Sequence, residues 1–221
     1  MCAVPRRERR VRHTERVGVA TVVGFDLDMT LVDSRPGIAA TLRALAAETG
    51  TSIDVELVIG RLGPVLEEEL SHWFPPADVG AACDRFRALY VTLGVPGTFL
   101  LPGAREAVAA VRTVGGRVVV VTAKYEPNAR RCLEHVSLAV DAVDGWRFGP
   151  GKGAALLEHG ATCYVGDTPA DVAGARAVGA VAIGVVTGAH PRAELLDAGA
   201  DAVLGSLTEF PAWFSSWRTG N

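Results

Sequence analysis

The sequence predicts an α/β fold in which a doubly wound parallel sheet carries an inserted helical segment. Short apolar runs alternate with segments of helical period, and such uninterrupted runs are typical of parallel strands covered on both faces. After the first run, about sixty residues show only helical patterns, which is too long for a loop inside a compact domain. The chain has 221 residues, 49% of them hydrophobic, enough for one core and a small companion domain.

Four runs are predicted as strands because they are short and rich in β-branched residues. They lie at 21–26, 117–123, 162–167 and 181–186. Helical periods follow at 102–116, 126–136, 168–180 and 191–200. Proline begins several of these helical segments and glycine ends several, which matches helix start and stop signals. The alternation therefore predicts a Rossmann-like core domain, built from 18–36 and 99–221, with right-handed crossovers.

The remaining segments are predicted from composition and helical period. Residues 37–98 are expected to form an inserted helical cap domain, with helices within IAATLRALAAETG, PVLEEELSHWF and VGAACDRFRALYVTLG. The final segment, LTEFPAWFSSWRTGN, predicts a short helix that packs its aromatic side chains. Residues 1–17 contain arginines interrupted by glutamates, which favours a disordered basic tail over an arm that binds polyanions.

Charge and cysteine usage exclude several classes of function. A net charge of −3 with both signs dispersed gives no basic field for nucleic acid. No apolar run reaches the roughly 18 residues that a membrane span needs. The cysteines (Cys2, Cys83, Cys132 and Cys163) form no CxxC pair, so we expect small buried thiols in a reducing, cytoplasmic compartment. The assembly is expected to be a monomer or a homodimer.

The stretch VVGFDLDMTLVDS places Asp26, Asp28 and Asp33 directly after the first predicted strand. In open α/β sheets, ligands bind at the carboxyl ends of strands. Two carboxylates about 4 Å apart repel by roughly 4 kcal/mol at an effective dielectric constant near 20. A divalent cation such as Mg²⁺ would offset this repulsion through oxygen ligands. The alternative for an isolated DxD is a helix cap or a solvated turn.

Polar residues also follow the later strands. Thr122 ends one strand, Asp167 and Asp171 lie in the turn GDTPAD, and Lys152 begins a helical segment in FGPGKGAAL. Taken singly, each has a simpler explanation, because GDTPAD can be a helix N-cap and a lone Lys is usually solvated. Together they supply hydroxyl, cation and carboxylate groups at one edge of the sheet. That combination predicts a site for phosphoryl transfer.

These residues resemble the motifs of the haloacid dehalogenase superfamily, and in particular its phosphoglycolate-phosphatase-like branch with a helical cap. The DxDxT motif is read here as Asp26 to Thr30, followed by the strand-terminal Thr122 and by Lys152. The last motif, GDxxxD, is read from Gly166 to Asp171. The resemblance covers the chain after the arginine-rich tail.

The resemblance implies a role for each matched residue. Asp26 is expected to be the nucleophile and Asp28 the general acid and base. Mg²⁺ would be held by Asp26, the backbone carbonyl of Asp28, and Asp167, with Asp171 in a supporting position. The expected phosphate-binding residues are Thr122, Ala123 and Lys152.

The resemblance therefore implies a Mg²⁺-dependent phosphatase that acts on a small phosphorylated metabolite, such as a phosphoglycolate-like compound or a sugar phosphate. Alternatives are a sugar phosphomutase of the same superfamily or a non-catalytic regulatory or binding protein. The presence of Asp28 favours phosphate esters over halides, since a halide leaving group needs no acid. Arg61 in the predicted cap is a candidate substrate selector, and a structural or solvated arginine is the alternative.

Overall fold

A computed structural model describes residues 21–220 of the chain, so the predicted tail over 1–17 and Cys2 lie outside the described residues. The strands are β1 (Val22–Phe25), β2 (Val32–Asp33), β3 (Phe99–Leu100), β4 (Arg117–Val121), β5 (Ala142–Asp144), β6 (Cys163–Gly166), β7 (Val181–Val185) and β8 (Ala202–Leu204). The main sheet is six-stranded and has the order β5-β4-β1-β6-β7-β8. Every neighbouring pair is parallel, which confirms the predicted doubly wound sheet.

Helices cover this sheet and fill the predicted insertion. They are α1 (Arg35–Thr49), α2 (Val55–Gly60), α3 (Leu66–Ser71), α4 (Val79–Leu93), α5 (Ala104–Thr113), α6 (Glu126–His135), α7 (Pro150–His159), α8 (Pro169–Ala177), α9 (Arg192–Asp197) and α10 (Phe210–Gly220). Short 3-10 turns lie at Val95–Gly97 and Leu207–Glu209. Each strand and helix predicted in the core is present, with ends within a few residues of those expected.

The two faces of the sheet bury different side chains, as the period of two in a strand requires. In β4, Val118 and Val120 pack with α5, α6 and α10, whereas Val119 and Val121 pack with α7, α8 and α9. All four valines are fully buried. A strand buried on both faces has no polar alternation, which is why these runs are continuous in the sequence.

Helices α1 to α4 occupy the segment predicted as a cap, and none of the described residues between Asp33 and Phe99 forms a strand. An antiparallel ribbon of β2 and β3 closes the base of this insertion, with Val32 opposite Leu100. The ribbon, β5, β8 and α2 were not predicted from the sequence, because two to six residues give too short a pattern. The domain boundaries at 37 and 98 stay a prediction.

The chain segments that enter and leave the insertion touch each other through glycines. A Cβ on Gly37 would lie 2.1 Å from the carbonyl oxygen of Gly94. A Cβ on Gly97 would lie 2.6 Å from Gly37 Cα. Any larger residue at these positions would push the two segments apart, so glycine is required for the close approach.

The described cysteines, Cys83, Cys132 and Cys163, are buried free thiols, as expected from their apolar context. Among residues 21–220, no helix has the length and apolar character needed to cross a bilayer. Helix α10 buries Phe210 and Phe214. The predicted packing role of the C-terminal aromatic residues is therefore confirmed.

Replacing Phe210 with alanine is expected to lower the free energy of unfolding by about 3–5 kcal/mol. Its ring is fully buried, lies 5.4 Å from the Phe25 ring and stacks on Phe214 at 5.3 Å between centroids. Chemical denaturation measures the loss. Ser215→Ala, at an exposed position of the same helix, is the control and should change stability by no more than about 0.5 kcal/mol. Equal losses in both variants would contradict the packing role.

Candidate active site

The site lies where three neighbouring strands of the sheet end. Asp26, Thr122 and Asp167 each follow the last residue of β1, β4 and β6, respectively. Strand β1 is central among these three, and the chain crosses over to β4 on one side and to β6 on the other. Such a switch point in an open α/β sheet creates a crevice at the carboxyl ends of the strands. The fold therefore brings together residues that are up to 141 positions apart in the sequence.

The turn after β1 reverses the chain within a few residues. The carbonyl of Leu27 accepts hydrogen bonds from the amides of Thr30, Leu31 and Val32. Met29 takes the left-handed conformation, with φ of 60°, which is unusual for a residue with a side chain. This compact turn holds Asp28 beside Asp26 at the edge of the crevice.

Lys152 lies between two buried carboxylates. Its Nζ is 3.0 Å from Asp26 Oδ1 and also donates to Asp171 Oδ1. The side chain is on the first turn of α7 and is only 3% exposed. Burial opposes a positive charge there, but Asp171 and Asp26 outweigh it and raise the pKa of Lys152. The lysine therefore stays charged within the site.

Asp171 is held in place by a capping box at the start of α8. Asp171 Oδ2 accepts from the amide and hydroxyl of Thr168 at 3.0 and 2.7 Å, and Thr168 Oγ1 accepts from the Asp171 amide. The hydroxyl of Tyr164 donates to Asp171 Oδ1 at 3.3 Å. A Cβ on Gly166 would lie 2.3 Å from Asp171 Cγ, so this motif glycine makes room for the carboxylate. GDTPAD is thus both a helix cap and part of the site.

Asp26, Asp167 and Asp171 each place a carboxylate oxygen within 4.8 Å of the others. Burial raises the pKa of Asp26 to about 7, although Lys152 lowers it. Burial and the two neighbouring carboxylates also raise the pKa of Asp167 well above its usual range. Thr30 Oγ1 donates to Asp167 at 3.1 Å. The cluster is therefore rich in hard oxygen ligands and poor in compensating positive charge.

Asp26 Oδ1 is buried and, within residues 21–220, receives no hydrogen bond of acceptable geometry. The Lys152 ammonium is close enough for an ion pair, but not aligned for a hydrogen bond. An unsatisfied carboxylate oxygen next to two further carboxylates suits a small divalent cation that prefers oxygen. The residues present therefore fit the expected Mg²⁺.

The side chain of Asp28 points to a second lysine, Lys124. Lys124 Nζ donates to Asp28 Oδ1 at 2.8 Å and lies 4.4 Å from the centre of the Tyr90 ring. Burial disfavours the charge, but Asp28 and Tyr90 raise the pKa of Lys124. Because Tyr90 is on α4, the insertion covers this ion pair directly.

Thr122 and Ala123 lie at the end of β4 and line the same cavity as the carboxylates. Thr122 is buried, and its Oγ1 accepts from the Lys124 amide at 3.2 Å. The cavity measures about 130 Å³ and is bounded by the core on one side and by the helical insertion on the other. All the predicted site residues except Asp171 line it.

Two charged residues considered in the sequence have partners elsewhere. Asp33 forms an ion pair with Arg35, which donates through Nε and Nη2 at 2.9 and 2.7 Å, so this carboxylate lies outside the cluster. Arg61 lines the cavity, but its guanidinium donates to both oxygens of Glu69 at 3.0 and 2.8 Å. This geometry is that of a structural arginine, and its role as a substrate selector stays a prediction.

Sequence reasoning missed the two residues that hold the charged side chains in position. Nothing local in the sequence indicates that Lys124 pairs with Asp28. Tyr164 lies in an apolar strand, and its single hydroxyl proton is shared between Asp171 and the Val121 carbonyl, which is 2.7 Å away. The signal for Lys124 is its position three residues after the last residue of β4.

Comparison with known proteins gives relatives along most of the chain. The model of haloacid dehalogenase-like hydrolases matches residues 23–176. The tyrosine-protein kinase PtkA of Mycobacterium tuberculosis is 32% identical over 193 residues, covering 80% of this chain. The chain spans 65% of the length of that relative. The phosphoglycolate phosphatase of Rhodospirillum rubrum is 31% identical over 221 residues, covering 89% of this chain and 91% of the relative.

Solved structures share the whole fold. A haloacid dehalogenase-like family protein, SP0104 from Streptococcus pneumoniae, superposes with a TM-score of 0.77 at 25% identity, covering 88% of this chain and 98% of its own. A structure described as a predicted phosphatase from Clostridium acetobutylicum gives a TM-score of 0.78 at 24% identity over 90% of this chain and 100% of its own, a likeness of fold. From the matched family and the site geometry together, this chain belongs to the haloacid dehalogenase-like hydrolases.

Proposed function

We propose that this protein is a Mg²⁺-dependent phosphatase that hydrolyses a small phosphorylated metabolite through an aspartyl-phosphate intermediate. The observation that carries the proposal is the buried Asp26 carboxylate, which lies at a strand end, next to Lys152 and within 4.8 Å of carboxylate oxygens of Asp167 and Asp171. Family membership and the phosphoglycolate phosphatase of Rhodospirillum rubrum support a phosphoric monoester hydrolase. The reaction then divides into two transfers of one phosphoryl group.

In the first transfer, a carboxylate oxygen of Asp26 attacks the phosphorus atom of the ester. The bond between phosphorus and the ester oxygen breaks, and the leaving oxygen takes a proton from Asp28, which must enter this step in its protonated form and not as the ion pair with Lys124. The proton is needed because an alkoxide is a poor leaving group. The products are a free alcohol and a phosphorylated Asp26 side chain.

In the second transfer, a water oxygen attacks the same phosphorus atom. Asp28, now ionised, accepts a proton from that water, and the bond between phosphorus and Asp26 breaks. Inorganic phosphate leaves, and both aspartates return to their starting protonation states. Lys124, which lies 2.8 Å from Asp28, keeps this carboxylate oriented between the two steps.

The remaining residues would bind the phosphate oxygens, whose charge must be balanced during transfer. Lys152 supplies a fixed positive charge, and Thr122 supplies a hydroxyl at the end of β4, with Ala123 beside it. Mg²⁺, held by Asp26, the Asp28 carbonyl and Asp167, would neutralise phosphate charge so that an anionic nucleophile can approach. Asp171 supports the set by holding Lys152.

The nucleophile assignment predicts that Asp26→Asn abolishes release of inorganic phosphate from p-nitrophenyl phosphate. The amide keeps the shape of the side chain but cannot attack phosphorus. Asp33→Asn is the matched control, because Asp33 pairs with Arg35 outside the cluster and should retain near wild-type activity. Hydrolysis of a chiral thiophosphate ester in H₂¹⁸O by wild-type enzyme should give net retention of configuration at phosphorus, because each of the two in-line transfers inverts it. Net inversion in active enzyme would rule out the covalent route.

The acid/base assignment predicts a different defect for Asp28→Asn. A nitrophenolate leaving group needs little protonation, so phosphorylation of Asp26 should still occur, while hydrolysis of the intermediate loses its base. An acid-stable, hydroxylamine-sensitive phosphoprotein should accumulate and can be quantified with ³²P-labelled substrate. Asp26→Asn should give no such signal. Hydrolysis of the intermediate at the wild-type rate in Asp28→Asn would contradict the base role.

The metal assignment can be tested without measuring turnover. Because the carboxylates of Asp26, Asp167 and Asp171 lie within 4.8 Å of each other, Mg²⁺ should raise the Tm of the free protein, and EDTA should reverse the shift. Asp167→Asn should lose most of the Mg²⁺-dependent shift. Asp197→Asn, at an exposed position on α9, should keep it. A Tm that does not respond to Mg²⁺ in the wild type would argue against the metal site.

A further inference from the structure

We propose that the substrate is a phosphate ester whose leaving group is compact, apolar and without a second charge. This rests on the proposed function, because it names the substrate class of the same site. Once the phosphoryl group contacts Asp26, the leaving group must extend toward the wall of the cavity formed by the helical insertion. We call this surface the cap wall.

The cap wall is dominated by hydrocarbon side chains. Its apolar members come from α1 to α4 and the loop after α2, and they are Ile38, Leu42, Val58, Leu62, Leu66 and Phe86. Most of these are buried or nearly so even without a bound molecule. An apolar wall favours an apolar leaving group, which loses little hydration when it enters the cavity. Each methylene group buried against the wall should raise the affinity about fourfold.

The charged side chains of the cap wall are already paired. Arg61 is bound through two nitrogens to Glu69, and the Trp73 indole donates to the same carboxylate at 2.9 Å. Nε and Nη2 of Arg61 are therefore both engaged by Glu69. A carboxylate on the substrate would have to break this pair before it gained a partner.

Arg87 also lines the cavity and has carboxylate partners, although its Nε is buried and has no hydrogen-bond partner within residues 21–220. It donates to Glu67 and to Asp84, and its guanidinium lies 5.4 Å from the Tyr125 ring centre and 5.3 Å from that of Trp146. Among the described residues that line the cap wall, each arginine thus has a carboxylate partner. The wall offers a second phosphate or a carboxylate no unpaired positive charge.

The size of the cavity beside the cap wall favours a small leaving group. The cavity has about 130 Å³ for groups the size of water and is partly open to solvent, so a leaving group that stays against the cap wall must be compact. A short alkyl chain or a small ring fits this space better than a sugar, whose hydroxyls would be left without hydrogen-bond partners against the apolar wall.

The test is a comparison of kcat/KM for compact esters that share an alkoxide leaving group. With Mg²⁺ present, n-butyl phosphate should exceed glycerol 3-phosphate and phosphoglycolate by at least tenfold. p-Nitrophenyl phosphate reports on the proposed function alone. If it is hydrolysed while phosphoglycolate or glycerol 3-phosphate equals or exceeds butyl phosphate, the substrate class is wrong and the phosphatase proposal survives. If no ester is hydrolysed, both proposals fail.

A charge introduced into the cap wall should reverse the preference. Leu62→Arg places an unpaired cation beside the cavity, so the ratio of kcat/KM for butyl phosphate to that for phosphoglycolate should fall at least tenfold. Leu57→Arg is the matched control, because Leu57 is 48% exposed on α2 and does not line the cavity, and its ratio should stay at the wild-type value. An unchanged ratio in a folded Leu62→Arg protein would contradict the proposal. If Leu62→Arg does not fold, the comparison of kcat/KM for the three alkyl esters with the wild-type enzyme tests the proposal by itself.

Discussion

The mutual repulsion of Asp26, Asp167 and Asp171 governs how the surrounding structure is built. Burial and this repulsion together raise the pKa of Asp26 and of Asp167. Two ionised carboxylates about 4 Å apart would repel by roughly 4 kcal/mol at an effective dielectric constant near 20. Lys152 offsets part of this repulsion, which is why the first turn of α7 must lie against the sheet edge. The Thr168 cap fixes Asp171 so that it faces that lysine. Burying these charged side chains serves catalysis at the cost of a lower free energy of unfolding.

The sequence-based prediction works best where local pattern and tertiary position coincide. Strand ends are visible as the last residue of an apolar run, and parallel strands share one edge, so Asp26, Thr122 and Asp167 could be placed together without coordinates. The long cap helices α1 and α4 could be predicted because the period of each extends over 15 residues, whereas the six-residue α2 was missed. Short elements such as the β2–β3 ribbon form by pairing with a segment that is far away in the sequence. No local pattern identifies that partner segment.

The side-chain pairings are the part that the sequence could not provide. An arginine at position 61 has the same local pattern whether it faces a substrate or Glu69, and only the fold of α3 against the loop decides between them. Lys124 and Asp28 are 96 residues apart, and their pairing depends on the register of β1 with β4. Within the proposed function, the core supplies the groups for phosphoryl transfer and the insertion supplies the surroundings of the leaving group.

The glycine contact at the base of the insertion has a mechanical consequence. Because Gly37 touches both Gly94 and Gly97, the two chain crossings between core and insertion meet at one place. A side chain added there would tilt the insertion against the core, and a tilt displaces residues far from the contact more than residues beside it. The width of the cavity therefore depends on the absence of a single methyl group at the crossing.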